Sequence, residues 1–275
     1  MSKVFTYQLF SDIHMEFSKS VPNIPVLSPY LFLAGDIGKI NTINFNKFID
    51  YCNNNWKKTF YICGNHEYYS SKKTHLELNQ AYKNFFNAYP NVIMLDDSYY
   101  DIIENDYKLR IYGSTLWSEV TQTNELNDFN RIKMRNSKYW RVPINKEYFN
   151  ELHDNSLKNL INTVNESSID LIIMTHFPPL RKTEKQKQFT SHSMHESQPA
   201  YMANYFANNL LDEKLANFDT NEIDFYSKIK LWLSGHTHYS YNFTFNRTQF
   251  LSNQIGYIGE QNLSQPNYSG VFELV

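Results

Sequence analysis

The fold is decided by the stretch Thr59-Phe-Tyr-Ile-Cys-Gly-Asn-His-Glu67, in which an apolar run ends on glycine and polar side chains follow at once. A short apolar run rich in aromatic and β-branched residues, with glycine at its end, is typical of a buried strand. An earlier stretch, Tyr30-Leu-Phe-Leu-Ala-Gly-Asp36, has the same order. The pattern therefore predicts a buried sheet whose strands end in polar residues.

Similar apolar runs alternate with longer segments of helical period. The predicted strands are Val4–Phe10, Tyr30–Ala34, Thr59–Cys63, Val92–Leu95, Leu109–Tyr112, Leu171–Thr175 and Ile229–Leu233. Apolar residues recur every three or four positions in the predicted helices Thr42–Trp56, Lys73–Tyr89 and Asn145–Glu166. After Tyr239, apolar and polar residues alternate, which predicts antiparallel strands and hairpins. This order favours a layered α/β or α+β architecture over a helical bundle.

Composition excludes several classes of function. The chain has 275 residues, of which 41% are hydrophobic, so it can bury a substantial core. Its 26 basic and 28 acidic residues give a net charge of −2, which argues against general nucleic-acid affinity. No apolar run approaches the roughly 20 residues that span a bilayer, and Met1–Phe10 lacks a signal-peptide core. Cys52 and Cys63 are too few for a disulfide framework. We therefore expect a cytoplasmic protein without membrane insertion.

No linker rich in glycine, serine or proline divides the chain, and no repeat is visible. We therefore predict a single domain over residues 1–275, with an insertion at about 181–228. Within it, Lys182–Ser197 is polar and contains His192 and His195, whose spacing is metal-like but whose surroundings predict an exposed loop. Because this loop lies between two strand exits, it is also a candidate substrate lid.

Metal-capable side chains follow the ends of five predicted strands. Three of the eight glycines stand directly before such a residue, which suggests that flexible backbone is needed there. If extended geometry persists past the strand ends, alternation places the two members of each D-x-H or H-x-H pair on one side. The carboxyl ends of strands in open α/β sheets form the rim where sites assemble. We therefore expect these residues to converge: Asp12, His14, Asp36, Asn65, His66, Glu67, His176, His236 and His238.

The residue types of this set indicate a transition-metal site. Imidazole nitrogens with carboxylate and amide oxygens suit zinc, manganese, iron or nickel better than magnesium or calcium. A mononuclear catalytic zinc normally takes three protein ligands, so the larger set here favours two ions. Only Asp12 and Asp36 among the candidate ligands carry charge, so two divalent ions leave the site positive and attractive to a phosphate ester. This composition is typical of two-metal attack on phosphorus, after which the leaving oxygen needs a proton.

The motifs, taken in order, resemble the signature of the calcineurin-like metallophosphoesterase superfamily over roughly residues 4 to 275. They are Asp12-x-His14, Gly35-Asp36, Gly64-Asn65-His66-Glu67, His176 and Gly235-His236-x-His238. The resemblance implies a four-layer αββα sandwich, in which two mixed β-sheets are flanked by helices. It also implies a binuclear centre, with one ion held by Asp12, His14 and His238 and the other by Asn65, His176 and His236. Asp36 would bridge the two ions.

The resemblance further implies hydrolysis of phosphate mono- or diesters by attack of a metal-bridging hydroxide. Asp36 and His66 would be the catalytic residues, with His66 outside the ligand set and nearest the leaving oxygen, as a general acid or as a stabiliser of charge. Glu67 fits the motif without an assigned role. Manganese is the first choice for the two divalent ions, with zinc, iron, nickel or cobalt as alternatives. The substrate would be a phosphate ester such as a nucleotide or another small diester.

Two details refine the resemblance. Ser252-Asn-Gln-Ile-Gly-Tyr257 and Glu260 resemble a C-terminal segment of predicted phosphohydrolases in this superfamily. The protein serine/threonine phosphatase branch has an acidic residue and an arginine shortly after its Gly-Asp, whereas this chain has Asp36-Ile-Gly-Lys39, which disfavours that activity. The alternative is a protein-binding scaffold on the same fold, as in the retromer subunit that resembles this family. Retention of His66 and of the whole ligand set argues against it.

The remaining candidates have ordinary structural explanations. Arg131, Arg135 and Arg181 are able to clamp a phosphate, with Asn127 and Asp128 near the first of them, but solvated surface charge is the expected explanation. Tyr68 and Tyr69 directly follow the predicted rim and are candidates for stacking on a substrate. His75 and His153 lie in predicted helices without partners at useful spacing, so we expect them to be structural or exposed.

Overall fold

The computed structural model describes residues 4–18, 20–104, 107–123, 125–181, 190, 199–210, 225–260 and 264–274. The predicted loop Lys182–Ser197, with His192 and His195, lies outside the described residues except for Thr190. Its exposure and its role as a lid remain predictions, as does the single-domain boundary with an insertion at about 181–228. Among the described helices, none is both long and apolar enough to cross a bilayer.

The first main sheet has five strands. Along the chain they are β1 (Phe5–Phe10), β2 (Tyr30–Ala34), β3 (Lys58–Ile62), β4 (Val92–Met94) and β13 (Phe272–Leu274). Their order across the sheet is β13-β1-β2-β3-β4, with β1 to β4 parallel and β13 antiparallel to β1. The parallel strands are nearly continuous apolar runs because such strands are covered on both faces.

The second main sheet has six strands and also combines a parallel centre with antiparallel edges. They are β5 (Ser98–Ile103), β6 (Lys108–Ser114), β9 (Asp170–Thr175), β10 (Ile229–Leu233), β11 (Tyr241–Phe245) and β12 (Thr248–Ser252). The order is β11-β12-β10-β9-β6-β5, and only β5 and β11 run antiparallel to their neighbours. A separate small hairpin pairs β7 (Lys133–Arg135) with β8 (Arg141–Pro143).

The helices are α1 (Ile43–Asn55), α2 (His75–Phe86), α3 (Asp128–Arg131), α4 (Lys146–Glu166) and α5 (Ala200–Phe206). Helix α2 begins with a capping box, in which the Thr74 hydroxyl accepts from Glu77 N at 3.3 Å and the Glu77 carboxylate accepts from Thr74 N at 2.9 Å. Helix α4 is capped by Asn145, whose Oδ1 accepts from Tyr148 N at 2.9 Å.

Three apolar clusters define four layers. Leu9 and Phe32 of the first sheet pack with Ile172 and Leu231 of the second in the core between the sheets. On the outer face of the first sheet, α1 and α2 contribute to one large cluster, and on the outer face of the second sheet α4 packs into another. Helices therefore cover two face-to-face mixed sheets, which confirms the predicted αββα sandwich.

The predicted elements are present, two of them with the predicted bounds and the others with ends shifted by up to three residues. Strand β5, the β7–β8 hairpin and the short helices α3 and α5 were not predicted. Strand β5 lies at a sheet edge and exposes Ser98, Tyr99 and Ile103, so it lacks the apolar run of a buried strand. The alternating tail after Tyr239 does form the β11–β12 hairpin, although β12 also pairs in parallel with β10.

Candidate metal centre

The predicted ligands lie immediately after the carboxyl ends of β1, β2, β3, β9 and β10. The ends of the two sheets meet there, because His14 after β1 and His238 after β10 place their Nε2 atoms 3.0 Å apart. The convergence that the sequence predicted from strand exits is therefore present in the structure.

The backbone at these exits is left-handed rather than extended. The φ angles are positive at five of the predicted ligands: Asp12 (53°), His14 (50°), Asp36 (54°), His236 (74°) and His238 (50°). Such angles cost a non-glycine residue roughly 1–2 kcal/mol, although Asp and His tolerate them better than most. The expectation that strand alternation aligns the D-x-H and H-x-H pairs is therefore wrong, because tight turns position these side chains.

The glycines before three ligands are needed mainly for space. A Cβ on Gly64 would lie 2.2 Å from Asp36 Oδ1, and one on Gly235 would lie 2.6 Å from Asp12 Oδ2. A Cβ on Gly35 would lie 2.5 Å from His176 Nδ1. Gly35 also has a φ of +86°, so among these three glycines only Gly35 is needed for its backbone conformation as well. The ligand loops are packed too closely for any side chain at these positions.

One ligand group contains Asp12, His14 and His238, each with a potential ligand atom within 4.8 Å of the others. His238 Nε2 lies 3.6 Å from Asp12 Oδ1. Asp12 and His14 are buried, and the Asp12 carboxylate also accepts a hydrogen bond from the backbone N of His236 at 3.0 Å. Two imidazole nitrogens and a carboxylate facing one point are a donor set that suits a divalent transition metal.

Asp36 lies between this group and a second one. Its Oδ2 is 3.8 Å from His14 Nε2 and 3.5 Å from His176 Nε2, and Asp12, Asp36 and His176 form another group within 4.8 Å. His176 Nε2 also lies 3.1 Å from Asn65 Oδ1. One carboxylate oxygen of Asp36 therefore lies within 4 Å of a histidine from each predicted ligand set.

The protonation of this buried cluster shows how strongly it attracts positive charge. Burial acts to raise the pKa of Asp36, but the imidazoles of His176, His66 and His14 outweigh it and hold that pKa well below its usual range. Burial acts in the opposite sense on His176, yet the carboxylates of Asp36 and Asp12 raise its pKa to about 10. The carboxylates therefore favour the protonated forms of His176 and His66, so the cluster attracts positive charge.

His236 is less closely tied to the others. Its imidazole packs on the ring of Phe177 with centroids 4.0 Å apart, and its centroid lies 5.1 Å from that of His176. Within the described part of the chain, it belongs to none of the groups whose ligand atoms lie within 4.8 Å of one another. Its role as a ligand therefore remains a prediction.

His66 lies beside the ligands with both ring nitrogens engaged. Nδ1 is 3.0 Å from Glu16 Oε1, Nε2 is 3.1 Å from the Tyr257 hydroxyl, and the backbone N donates to Asp36 Oδ1 at 2.8 Å. Burial lowers the pKa of His66, but the nearby carboxylates of Asp36 and Glu16 outweigh it and raise the pKa above its usual value. One ring nitrogen of His66 also lies within 4.8 Å of a ring nitrogen of His14 and of a carboxylate oxygen of Asp36. The predicted ligands His14, His176 and His238 also have both ring nitrogens engaged, so the place of His66 outside the ligand set remains a prediction.

Two carboxylates that the sequence analysis did not assign to the site orient the facing histidines. Glu16 Oε1 lies 3.3 Å from His14 Nδ1, and Glu260 Oε2 lies 2.5 Å from His238 Nδ1. A metal-binding imidazole typically donates its other N–H to such a carboxylate, which fixes the tautomer and the ring orientation. Glu260 was noted only for the C-terminal resemblance, and Glu16 carries the weak signal of standing two residues after His14.

Glu67 organises two ligand loops. Its buried carboxylate accepts from the backbone N atoms of Asp36 (3.0 Å), Ile37 (2.8 Å) and Gly64 (2.8 Å), and from the Tyr61 hydroxyl at 2.9 Å. Burial and the charge of Asp36 raise the pKa of Glu67 to about 7. Glu67 therefore holds together the loops that follow β2 and β3.

Asp128 on α3 fixes the amide of Asn65. Asn65 Nδ2 donates to Asp128 Oδ1 at 2.8 Å, which leaves the amide oxygen facing His176. The Tyr69 hydroxyl donates to the same carboxylate oxygen at 2.6 Å, and the Tyr69 ring lies 4.2 Å from that of His66. Of the two tyrosines predicted to stack on a substrate, only Tyr69 lines the site cavity.

The prediction for Tyr68 is wrong. Its side chain is fully buried against His75 and Trp117, with ring centroids 4.3 and 5.6 Å away, because the 3₁₀ turn His66–Tyr68 directs it into the core. His75 and His153 are themselves buried, His75 beside the Tyr148 hydroxyl at 3.1 Å and His153 beside the Trp117 carbonyl at 2.8 Å. Both agree with the expected structural role.

The three candidate arginines have different surroundings. Arg135 pairs with Glu77 at 2.5 Å, and Arg181 donates to the side chain of Asn204. Only Arg131 lines a cavity that His66 also lines. A second, smaller cavity of about 230 Å³ lies over the ligands and is lined by Asp36, Asn65, His66, Tyr205, His236 and His238, among others.

The chain matches the family model for calcineurin-like phosphoesterases over residues 7–240. The chain therefore belongs to the calcineurin-like phosphoesterase family, whose members use divalent metals. This confirms the resemblance on which the predicted fold and ligand set were based. The likeness of the C-terminal segment to one branch of the superfamily remains a prediction.

The chain is similar to several individual proteins. Protein L509 of Acanthamoeba polyphaga mimivirus is 29% identical over 278 residues, covering 93% of this chain and 92% of that protein. The solved structure of phosphopantetheinyl hydrolase from Mycobacterium tuberculosis superposes with a TM-score of 0.66 and 14% identity, over 100% of this chain and 97% of that one. A putative 5′-nucleotidase from Staphylococcus aureus gives a TM-score of 0.47 at 13% identity, over 91% of this chain and 48% of that one.

Proposed function

We propose that this protein is a binuclear metal-dependent phosphoesterase that hydrolyses phosphate mono- or diesters. The observation that carries the proposal is the position of Asp36, whose Oδ2 lies within 4 Å of imidazole nitrogens from both ligand groups. A shared carboxylate between two sets of nitrogen and oxygen donors is the arrangement expected for a pair of divalent ions. Family membership supports the same chemistry.

The donor set fits two divalent ions. One would be held by Asp12, His14 and His238, the other by Asn65, His176 and His236, and Asp36 would be shared. Manganese is kept as the first choice, with zinc, iron, nickel or cobalt as alternatives, since mixed imidazole and carboxylate donors suit divalent transition metals. When bound, the ions would offset the charge of a phosphate ester and supply a nucleophile at neutral pH.

The protein's own side chains would complete the reaction. His66 would donate a proton to the departing ester oxygen or stabilise its charge. Glu16 and Tyr257, which contact the two ring nitrogens of His66, would keep the imidazole in place. Tyr205 and Tyr69 line the cavity over the ligands and would limit the access of water to a bound ester.

The test is turnover of bis-p-nitrophenyl phosphate and p-nitrophenyl phosphate by protein that has been chelated and then reloaded with single metals. We expect chelation to abolish activity and manganese to restore it. Asp36→Asn should lose at least one of the two ions and most of the activity, because asparagine keeps the left-handed backbone but removes the shared charge. Asp154→Asn, on the exposed face of α4, is the matched control.

Two results would contradict the proposal. Full activity after verified metal removal would exclude the metal mechanism, and normal turnover with two retained ions in Asp36→Asn would exclude the shared carboxylate. A complete absence of turnover with every metal and both esters would favour the protein-binding scaffold instead.

A further inference from the structure

The cavity that Arg131 and His66 line has a volume of about 490 Å³ and adjoins the candidate metal centre on the His66 side. His66, Tyr69, Asn127 and Tyr257 line both this cavity and the smaller one over the ligands. The two cavities therefore meet at these four side chains. A molecule whose phosphate lies over the ligands can extend past His66 into the larger cavity.

The larger cavity is rich in cationic groups. Lys39, Arg131 and Lys133 line it. Within the described residues, none of the three forms an ion pair with a carboxylate. The Lys39 ammonium donates to the Tyr69 carbonyl and lies 5.6 Å from the Tyr69 ring centroid, while the Lys133 ammonium donates to the Asn130 carbonyl at 2.8 Å. The carboxylates of Glu16, Glu67 and Asp36 attract Lys39 only from a distance, since none of them forms an ion pair with its ammonium group.

The acidic lining residue, Glu16, offsets only part of this charge, because it acts on Lys39 while also facing two imidazoles. Its Oε1 lies 3.0 Å from His66 Nδ1 and 3.3 Å from His14 Nδ1, so it is directed to the imidazoles. The side chains of Ser70 and Asn130 add hydroxyl and amide groups to the lining. Arginine, lysines and neutral donors around one cavity are the groups that proteins use to bind phosphate.

We infer that this cavity binds a second phosphate group, carried on the alcohol that leaves during hydrolysis. The inference rests on the proposed phosphoesterase function, because His66 marks the side on which the leaving oxygen departs. The substrate class is accordingly a phosphate ester whose leaving alcohol is itself phosphorylated. The chain as a whole has a charge of −2 and does not attract a phosphate. The attraction comes from Lys39, Arg131 and Lys133.

Two esters that differ in the second phosphate test the inference. They are propane-1,3-diol bisphosphate and n-propyl phosphate, both supplied to the manganese-loaded protein at matched free manganese. We expect a kcat/KM at least tenfold higher for the bisphosphate. Arg131→Ala should remove most of that preference and bring the ratio of the two kcat/KM values close to one, since a charge-assisted contact to phosphate, typically about tenfold, is lost. Arg141→Ala is the matched control, because this exposed arginine contacts Glu77 and does not line the cavity.

A binding measurement separates this inference from the proposed function. Calorimetric titration of the bisphosphate into chelated protein should show binding that Arg131→Ala weakens and Arg141→Ala does not. Turnover of both esters at equal kcat/KM, with binding independent of Arg131, would overturn the second phosphate site and leave the phosphoesterase standing. Binding that depends on Arg131 without turnover of either ester would support the site and contradict the enzyme.

Discussion

Glu16 Oε1 lies 3.0 Å from His66 Nδ1, so a carboxylate from the loop after β1 holds the imidazole proposed to act at the leaving group. The opposite nitrogen of His66 faces the Tyr257 hydroxyl at 3.1 Å, which fixes the ring at both ends. The same Glu16 oxygen is 3.3 Å from His14 Nδ1. One carboxylate thus couples a proposed ligand to the proposed proton donor.

The first prediction concerns Glu16→Gln, which keeps the shape of the side chain and removes its charge. Loss of such an outer carboxylate typically costs 10- to 100-fold in metal affinity or activity, so we expect kcat/KM to fall by at least about tenfold. Metal content after desalting and kcat/KM at saturating manganese are the two measurements. Glu151→Gln, on the exposed face of α4, is the control and should behave as wild type. Unchanged activity and metal content would show that Glu16 orients neither histidine.

The second prediction concerns His66→Ala, which should retain both ions but lose the group that assists departure of the ester oxygen. Removal of a general acid costs on the order of 10²–10⁴ in rate. An alkoxide needs that proton more than a nitrophenolate does, so kcat/KM should fall further for an alkyl ester than for a nitrophenyl ester of the same phosphate. An equal loss on both esters would favour charge stabilisation instead. Loss of a metal ion would place His66 among the ligands.

The third prediction concerns stability and pH. Burial lowers the pKa of His75 to about 4, so the folded chain binds this proton less tightly than the unfolded chain, whose histidine titrates near 6.5. The unfolded state therefore holds more protons between these values, and stability falls as the pH falls from about 6.5 to about 4. The size of this contribution is about 3 kcal/mol.

Urea unfolding of chelated protein at pH 7.5 and pH 4.5 measures the effect. His75→Gln should lower stability at pH 7.5 through lost packing on Tyr68, yet it should lose less stability than wild type on acidification. An identical acid-induced loss in both proteins would mean that folding does not lower the pKa of His75. Chelation is needed so that metal release does not contribute to the pH dependence.

Elements with strong local patterns were predictable from sequence. Tyr30–Ala34 and Ile229–Leu233 are buried on both faces, so their apolar runs have almost no polar interruptions and their bounds agree with the structure. Strand β5 could not be found in this way, because its stability comes from pairing with β6 and its own side chains are mixed. Arg110 of β6, for example, holds Asp101 of β5 in a bidentate ion pair at 2.8 Å.

The site was predictable only where chemistry and position coincide in the sequence. Asp36 follows glycine at a strand exit, so both its residue type and its place were visible. Asp128 had neither signal as a positioning residue, since its contact with Asn65 joins residues 63 positions apart in the chain. Tyr68 was misleading for the opposite reason: it adjoins the motif in sequence, but a single turn of 3₁₀ helix rotates it into the core.

The left-handed backbone at Asp12, His14, Asp36, His236 and His238 has an evolutionary consequence. Glycine adopts this conformation without the steric penalty of a Cβ, so glycine at one of these positions would relieve strain while removing a ligand. Selection for the proposed activity would therefore keep the chain below the stability that its own fold permits. A descendant lineage released from that selection would more readily accept glycine or asparagine in place of these aspartates and histidines.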